Sequence, residues 1–95
     1  MEQETKNLRI HGVVQGVGYR LWAKQQADLM RLDGWVRNRR NDKSVEICVT
    51  SDEDTLQKFI SACYQGSKNA KVSVIHVVNG VDEDISGFEI RDTAP

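Results

Sequence analysis

Residues 7–30 read Asn7-Leu8-Arg9-Ile10-His11-Gly12-Val13-Val14-Gln15-Gly16-Val17-Gly18-Tyr19-Arg20-Leu21-Trp22-Ala23-Lys24-Gln25-Gln26-Ala27-Asp28-Leu29-Met30. Their period changes part-way. From Asn7 to Val14 the residues alternate, with Leu8, Ile10 and Gly12 on one side and Arg9, His11 and Val13 on the other, which predicts a strand. From Leu21 to Met30 the spacing is helical: Tyr19, Ala23, Ala27 and Met30 recur at four, four and three, an apolar stripe one helix face wide. Between them, Val14-Gln15-Gly16-Val17-Gly18-Tyr19-Arg20 carries two glycines two apart, the mark of a tight loop whose backbone approaches something closely.

Working outward, Leu32-Asp33-Gly34 reads as the exit turn and Gly34-Trp35-Val36-Arg37-Asn38 as a second strand. Arg39-Arg40-Asn41-Asp42-Lys43-Ser44 is a polar connection, and Val45-Glu46-Ile47-Cys48-Val49 alternates strictly, so the two strands form a hairpin. Ser51 is the expected N-cap of a second helix, with Asp52, Glu53 and Asp54 where the helix dipole favours acids. Leu56, Phe59, Ile60 and Cys63 follow helical spacing to a stop at Gly66. Val72 to Val78 reads as a fourth strand with blurred alternation, as a bulge would produce. Asn79-Gly80 and Asp82-Glu83-Asp84 turn the chain, and Gly87-Phe88-Glu89-Ile90-Arg91 is a short last strand. The order β-α-β-β-α-β plus a short strand, with two one-sided helices, implies an α+β ferredoxin-like sandwich: two helices on one face of a mostly antiparallel sheet.

Composition sets the outer limits. A chain of 95 residues holds one core, so residues 1–95 are expected to form one domain, with its core at about 7–91. Apolar residues make up 39% and charged residues 28%, which suits a soluble globular protein. No apolar run approaches the ~20 residues of a membrane helix, and Met1 to Asn7 are too polar for a secretory signal. The expectation is a cytoplasmic protein with no membrane partner. Residues 1–50 carry nine basic and six acidic side chains, residues 51–95 four and eight. That balance argues against nucleic acid as a partner and suits a small anion held by the first half. The strands also lack the exposed aromatic pairs of an RNA-binding sheet. Cys48 and Cys63 are isolated, with no CxxC and no Cys/His cluster, and read as reduced thiols; no metal and no cofactor is expected.

The Gln15–Arg20 loop suggests chemistry. Backbone N–H groups at a helix start lack intrahelical partners, glycines can turn the preceding amides inward as a nest, and the helix dipole adds positive potential. Together they form an anion site. Arg20 adds a permanent charge and a planar fork for two phosphate oxygens. No acidic residue lies between Thr5 and Ala27. Nucleotide loops fit poorly: GxxxxGK[ST] is absent, and Leu21 stands where GxGxxG needs its third glycine. On the residues alone, a phosphate cradle and an ordinary tight turn both remain open, and Asn38 is equally a turn residue.

The stretch from His11 to Arg20 resembles the acylphosphatase signature Gly-x-Val-Gln-Gly-Val-x-(Phe/Tyr)-Arg. Gly34-Trp35-Val36-Arg37-Asn38 resembles that family's second signature, and Val45-Glu46 and Gly87 to Arg91 are also similar, so the likeness spans about residues 7–91. It implies the same sandwich fold and a hydrolase, an acylphosphate phosphohydrolase, that cleaves the carboxylic-phosphoric anhydride bond of acyl phosphates. By resemblance, the amides of Gln15, Gly16, Val17, Gly18, Tyr19 and Arg20 cradle the phosphoryl group, Arg20 stabilises its charge and Asn38 orients the attacking water, without metal or covalent intermediate. The partner is then a small acyl phosphate, with inorganic phosphate or sulfate as product-like ligands; the oligomeric state stays open, with a monomer as the default expectation. The alternative is a binding module that kept the cradle without catalysis. Arg37, Arg39 and Arg40 read as a solvated hairpin tip, Trp22 and Trp35 as packing residues, Gly12 and Gly34 as structural. Four loop positions depart from the family pattern: Arg31 where glycine ends the first helix, Asn41-Asp42-Lys43-Ser44 at the hairpin turn, Thr50-Ser51 without a glycine, and Ser67 for a proline.

Overall fold

The computed structural model describes residues 2–95. Strand β1 (Glu4–Val13) leads through the glycine loop into helix α1 (Tyr19–Leu29), and β2 (Asp33–Asn38) and β3 (Val45–Ser51) follow as a hairpin. Helix α2 (Glu53–Gln65), β4 (Lys71–Asn79) and β5 (Phe88–Ile90) complete the chain. The sheet order is β4-β1-β3-β2-β5, antiparallel except for the β2–β5 pair. Strand β3 is thus inserted between β1 and β2, whose crossover is α1. Helix α1 lies over β2 and β5, and α2 over β4 and β3.

The core lies between the helices and one sheet face. Leu8, Ile10, Val36, Val45, Ile47 and Val49 meet Tyr19, Ala23 and Ala27 of α1 and Leu56, Phe59 and Cys63 of α2 there. Gly34 lets β2 lie close against β3, because a Cβ on it would collide with the Cys48 carbonyl. The blurred alternation of β4 has the cause expected: His11 pairs with Val74 and Gly12 with Val72, so Ser73 is an extra, bulged residue. Val72 before the bulge and Ile75 after it therefore both pack toward the helices.

The expectations for the two helix starts, the exit turn and the hairpin tip are corrected. The cap of α2 is Asp52, whose side chain accepts from the Thr55 N–H at 3.1 Å and the Thr55 hydroxyl at 2.7 Å, while Ser51 ends β3. Helix α1 begins at Tyr19, and Asp33 already belongs to β2, so the exit turn is Met30-Arg31-Leu32. Strand β3 alternates in sequence but is buried along its whole length. A central strand has neighbours on both sides, and its second face is covered too. There Glu46 is held by Asn7 (3.0 Å), Arg37 (2.8 Å) and Arg39 (3.0 Å), with Arg9 at 3.6 Å. Arg37 and Arg39 are therefore ion-paired rather than a solvated tip, and only Arg40 is exposed. Burial raises the Glu46 carboxyl, but hydrogen bonds from Asn7, Arg37 and Arg39 outweigh it and hold the group below its ordinary range.

The same face carries Trp35, 5% exposed, between the guanidinium groups of Arg37 (4.7 Å) and Arg91 (4.8 Å), its indole donating to Glu83 at 2.8 Å. Cys48 lies beside it under the Val81 carbonyl, whereas Cys63 is in the core across the sheet. The sheet separates the two thiols, and both are free. Arg31 adopts φ 57°, the left-handed conformation in which a side chain costs about 1 kcal/mol, and Lys43 does the same at φ 58° in the hairpin turn.

Candidate active site

Strands β1, β2 and β5 point the same way, because β1 and β2 are both antiparallel to β3 and β5 is parallel to β2. Their C-terminal ends meet at one edge of the sheet, under the N-terminus of α1. A cleft of about 270 Å³ opens there, lined by Gln15, Gly16, Gly18, Tyr19, Arg20 and Asn38, with Val14, Leu21 and Ile90 as apolar walls.

The loop is shaped by its glycines. Gly16 and Gly18 have φ 73° and 74°, and no atom approaches within 4 Å of where a Cβ would stand on either. They are therefore glycine for backbone conformation, not for space. Gly18 is the N-cap of α1 in the left-handed region and offers no side-chain hydrogen bond. The first helical bond runs from Trp22 N to Gly18 O at 3.0 Å. Among the described residues, no amide from Gln15 to Leu21 donates to a protein acceptor. The first turn of α1 holds no acid. Its free N–H groups thus face the cleft with the helix dipole uncompensated.

The side chains divide between the cleft and the core. Tyr19 is 1% exposed and turns into the core, donating its hydroxyl to the Cys63 carbonyl at 2.6 Å. Burial pushes its phenol well above the ordinary range and the Cys63 thiol up to about 12, so neither ionises near neutrality. Cys48 is also raised, by burial first and then by Glu83 and Glu46. The structure offers no activated cysteine among the described residues. Val17 packs against the core rather than lining the cleft. Gln15 points its amide at the hairpin, where Nε2 donates to the carbonyls of Arg39 and Ser44, both at 3.0 Å.

Arg20 and Asn38 both line the cleft. The Arg20 guanidinium has no carboxylate or hydrogen-bond partner among the described residues, unlike Arg9, Arg37, Arg39 and Arg91. Asn38 lies two residues after the buried Val36, so period two places it on the helix side of the sheet. Its Oδ1 is buried and accepts no hydrogen bond from the protein. Its own turn uses Asp42 instead, whose carboxylate accepts from Ser44 N at 3.0 Å and Ser44 Oγ at 2.6 Å. Leu21 and Ile90, 57% and 40% exposed, were not among the residues expected here. Leu21 adjoins Arg20 in sequence, but Ile90 reaches the cleft only because β5 joins the sheet edge beside β2, which no local pattern announces.

The acylphosphatase family profile matches residues 6–90. The chain belongs to the acylphosphatase family. A curated acylphosphatase from Azoarcus sp. (strain BH72) is 44% identical over 86 residues, 90% of this chain and 87% of that one. The crystal structure of acylphosphatase from Bacillus subtilis is similar with a TM-score of 0.87 and 36% identity, covering 95% of this chain and 99% of that one. An acylphosphatase from Coxiella burnetii is 28% identical at a TM-score of 0.87, over 94% of this chain and 93% of that one. Membership makes the chain an enzyme, a hydrolase of acyl phosphates, and the sandwich anticipated from the element order is the acylphosphatase fold. No helix among the described residues is long and apolar enough to cross a membrane.

Proposed function

We propose that the cleft hydrolyses acyl phosphates by holding the phosphoryl group and aiming one water at it, with no metal and no covalent intermediate. The observation that carries this reading is the pairing of unlike unsatisfied groups across one cleft. On one wall are free amides and the unpaired Arg20 cation; on the other is the unpartnered Oδ1 of Asn38.

The phosphoryl oxygens accept from the amides of Gln15 to Arg20, with Val17 contributing its backbone alone, and from the Arg20 fork. Negative charge is spread over these oxygens in the transition state, so donors fixed around them in advance lower the barrier with little reorganisation. Asn38 Oδ1 accepts a hydrogen bond from a water and leaves an oxygen lone pair directed at phosphorus, a task for a group that does not titrate. The water oxygen bonds to phosphorus as the bond from phosphorus to the acyl oxygen breaks. The electron pair leaves on the carboxylate, and the water proton passes to a phosphoryl oxygen, giving carboxylate and dihydrogen phosphate. A carboxylate leaves without acid assistance, and no acidic side chain lines the cleft. The cleft is smaller than drug-sized ligand sites of about 300–1,000 Å³, which suits a grip on the phosphoryl end of a small molecule, with inorganic phosphate as the product-like ligand.

The test is hydrolysis of benzoyl phosphate in ¹⁸O-water with a chelator present. The expected result is undiminished turnover, label in phosphate rather than benzoate, and no phosphorylated chain by intact-protein mass spectrometry during turnover. Loss of activity on chelation, or a phosphorylated chain, would overturn the mechanism; phosphate binding without turnover would leave a binding module.

A further inference from the structure

We infer that the Gln15 side chain is a positioning residue: it latches the hairpin that carries Asn38 to the phosphate loop, and so sets the distance between the gripped phosphorus and the water. The inference rests on the reading of the cleft just given.

Strand β3 lies between β1 and β2, so no ladder of hydrogen bonds joins the loop after β1 to the end of β2. The two halves of the cleft belong to strands that do not touch. Asn38 is the last residue of β2, and the connection after it, Arg39 to Ser44, is long for a hairpin and exposed from Arg40 to Lys43. Gln15 spans the gap. Its Nε2 donates to the carbonyls of Arg39 and Ser44 at 3.0 Å each, using both amide protons. Those two residues also close the hairpin, Arg39 N donating to Ser44 O at 2.9 Å. The latch therefore grips the residue next to Asn38 at the mouth of its turn, while the Gln15 backbone remains part of the cradle. On the opposite face, Arg9 reaches the same hairpin through Asp42 at 3.5 Å, but that pair is solvent-exposed and longer. Misplacement of a reacting group by about 1 Å costs as much as 10²-fold in rate, so a side chain that touches neither phosphate nor water still controls turnover.

Gln15→Leu keeps the loop backbone and removes both bonds. The expected result is a kcat on benzoyl phosphate lowered about tenfold or more, with the inhibition constant of inorganic phosphate within about twofold of the parent, because Arg20 and the amides are untouched. In an Asn38→Ala background the same change should cost nothing further, since the latch acts through Asn38. An equal loss in both backgrounds, or a loss in phosphate affinity that matches the loss in kcat, overturns the inference. Should Gln15→Leu not fold, Gln15→Glu carries the test. Its carboxylate faces two carbonyls, and protonation restores a single donor, so kcat relative to the parent should rise towards acid pH; a flat ratio overturns the latch. A parent chain that binds phosphate without turning over benzoyl phosphate would sink the reading of the cleft instead. The latch is then judged by the side-chain amide resonance of Asn38, which Gln15→Leu must shift.

Discussion

Helix α2 begins on Asp52, whose carboxylate takes the Thr55 amide and hydroxyl, with Glu53 and Asp54 in the first turn. Helix α1 begins on Gly18, which caps nothing, with no acid in the first turn and Arg20 as its second residue. Both ends have the same unsatisfied N–H groups and the same dipole. One chain thus shows two kinds of helix start: α2 satisfies its positive end with its own carboxylates, and α1 leaves it open, where the proposed function places the phosphoryl group. The closed end is a contribution to stability. The open end forgoes that contribution and, in the proposed function, receives the anion.

The largest way to break the contrast is Arg20→Ala. By comparison with other transition-state donors, kcat/KM on benzoyl phosphate should fall on the order of 10²–10³. The thermal midpoint should hold, because the guanidinium bonds to no described group. A midpoint that falls with the rate would mean that Arg20 belongs to the fold. Asn38→Ala should lower kcat by about 10² while the inhibition constant of phosphate stays close to the parent, as steady-state kinetics with phosphate titration would show. Full turnover in that variant removes the water-positioning role.

A subtler exchange makes α1 resemble α2. Leu21 is the third residue of α1 and 57% exposed, so Leu21→Glu places a carboxylate where capping acids stand. Melting curves should show unchanged or slightly raised stability, and phosphate affinity should weaken about tenfold through repulsion of a dianion. Tighter phosphate binding would contradict the open-terminus account. The reverse change, Asp52→Ala, should lower the thermal midpoint by a few degrees and leave hydrolysis unaltered. Acid should produce a weaker form of the same effect. Hydrogen bonds from the Thr55 hydroxyl and amide hold the Asp52 carboxyl below its ordinary range. Its stabilisation is therefore complete above the ordinary carboxylate pKa and lost as pH falls through the lower folded-state value. The stability difference between parent and Asp52→Ala, followed by denaturation against pH, should shrink in that window.

The same two helix starts show what a linear reading reaches. The loop from Gln15 to Arg20 was legible because its information is local: two glycines without side chains, a helix behind them, and no acid nearby. Asn38 was ambiguous on its own and became a candidate only through the resemblance around Gly34 and Trp35. The cap of α2 was misplaced by one residue, because Ser51 and Asp52 are both good caps and the choice depends on where β3 stops pairing with β1 at Glu4. The strict alternation of β3 marked a strand but not its burial, because alternation records side-chain chemistry, not coverage. Glu46 is buried under three arginines from β1, β2 and the hairpin, and those partners are 37, 9 and 7 positions away.

The sequence by itself determined the elements, their order, the one-sided helices and the tight glycine loop before α1, since each depends on residues within a turn or a strand of one another. Only the tertiary structure decided which ends share a cleft. Inserting β3 between β1 and β2 separates Arg20 and Asn38 by a strand, pairing β5 beside β2 brings in Ile90, and the Gln15 amide spans the opening. Those are contacts between segments distant in the chain, set by sheet order and packing, and no local period encodes them.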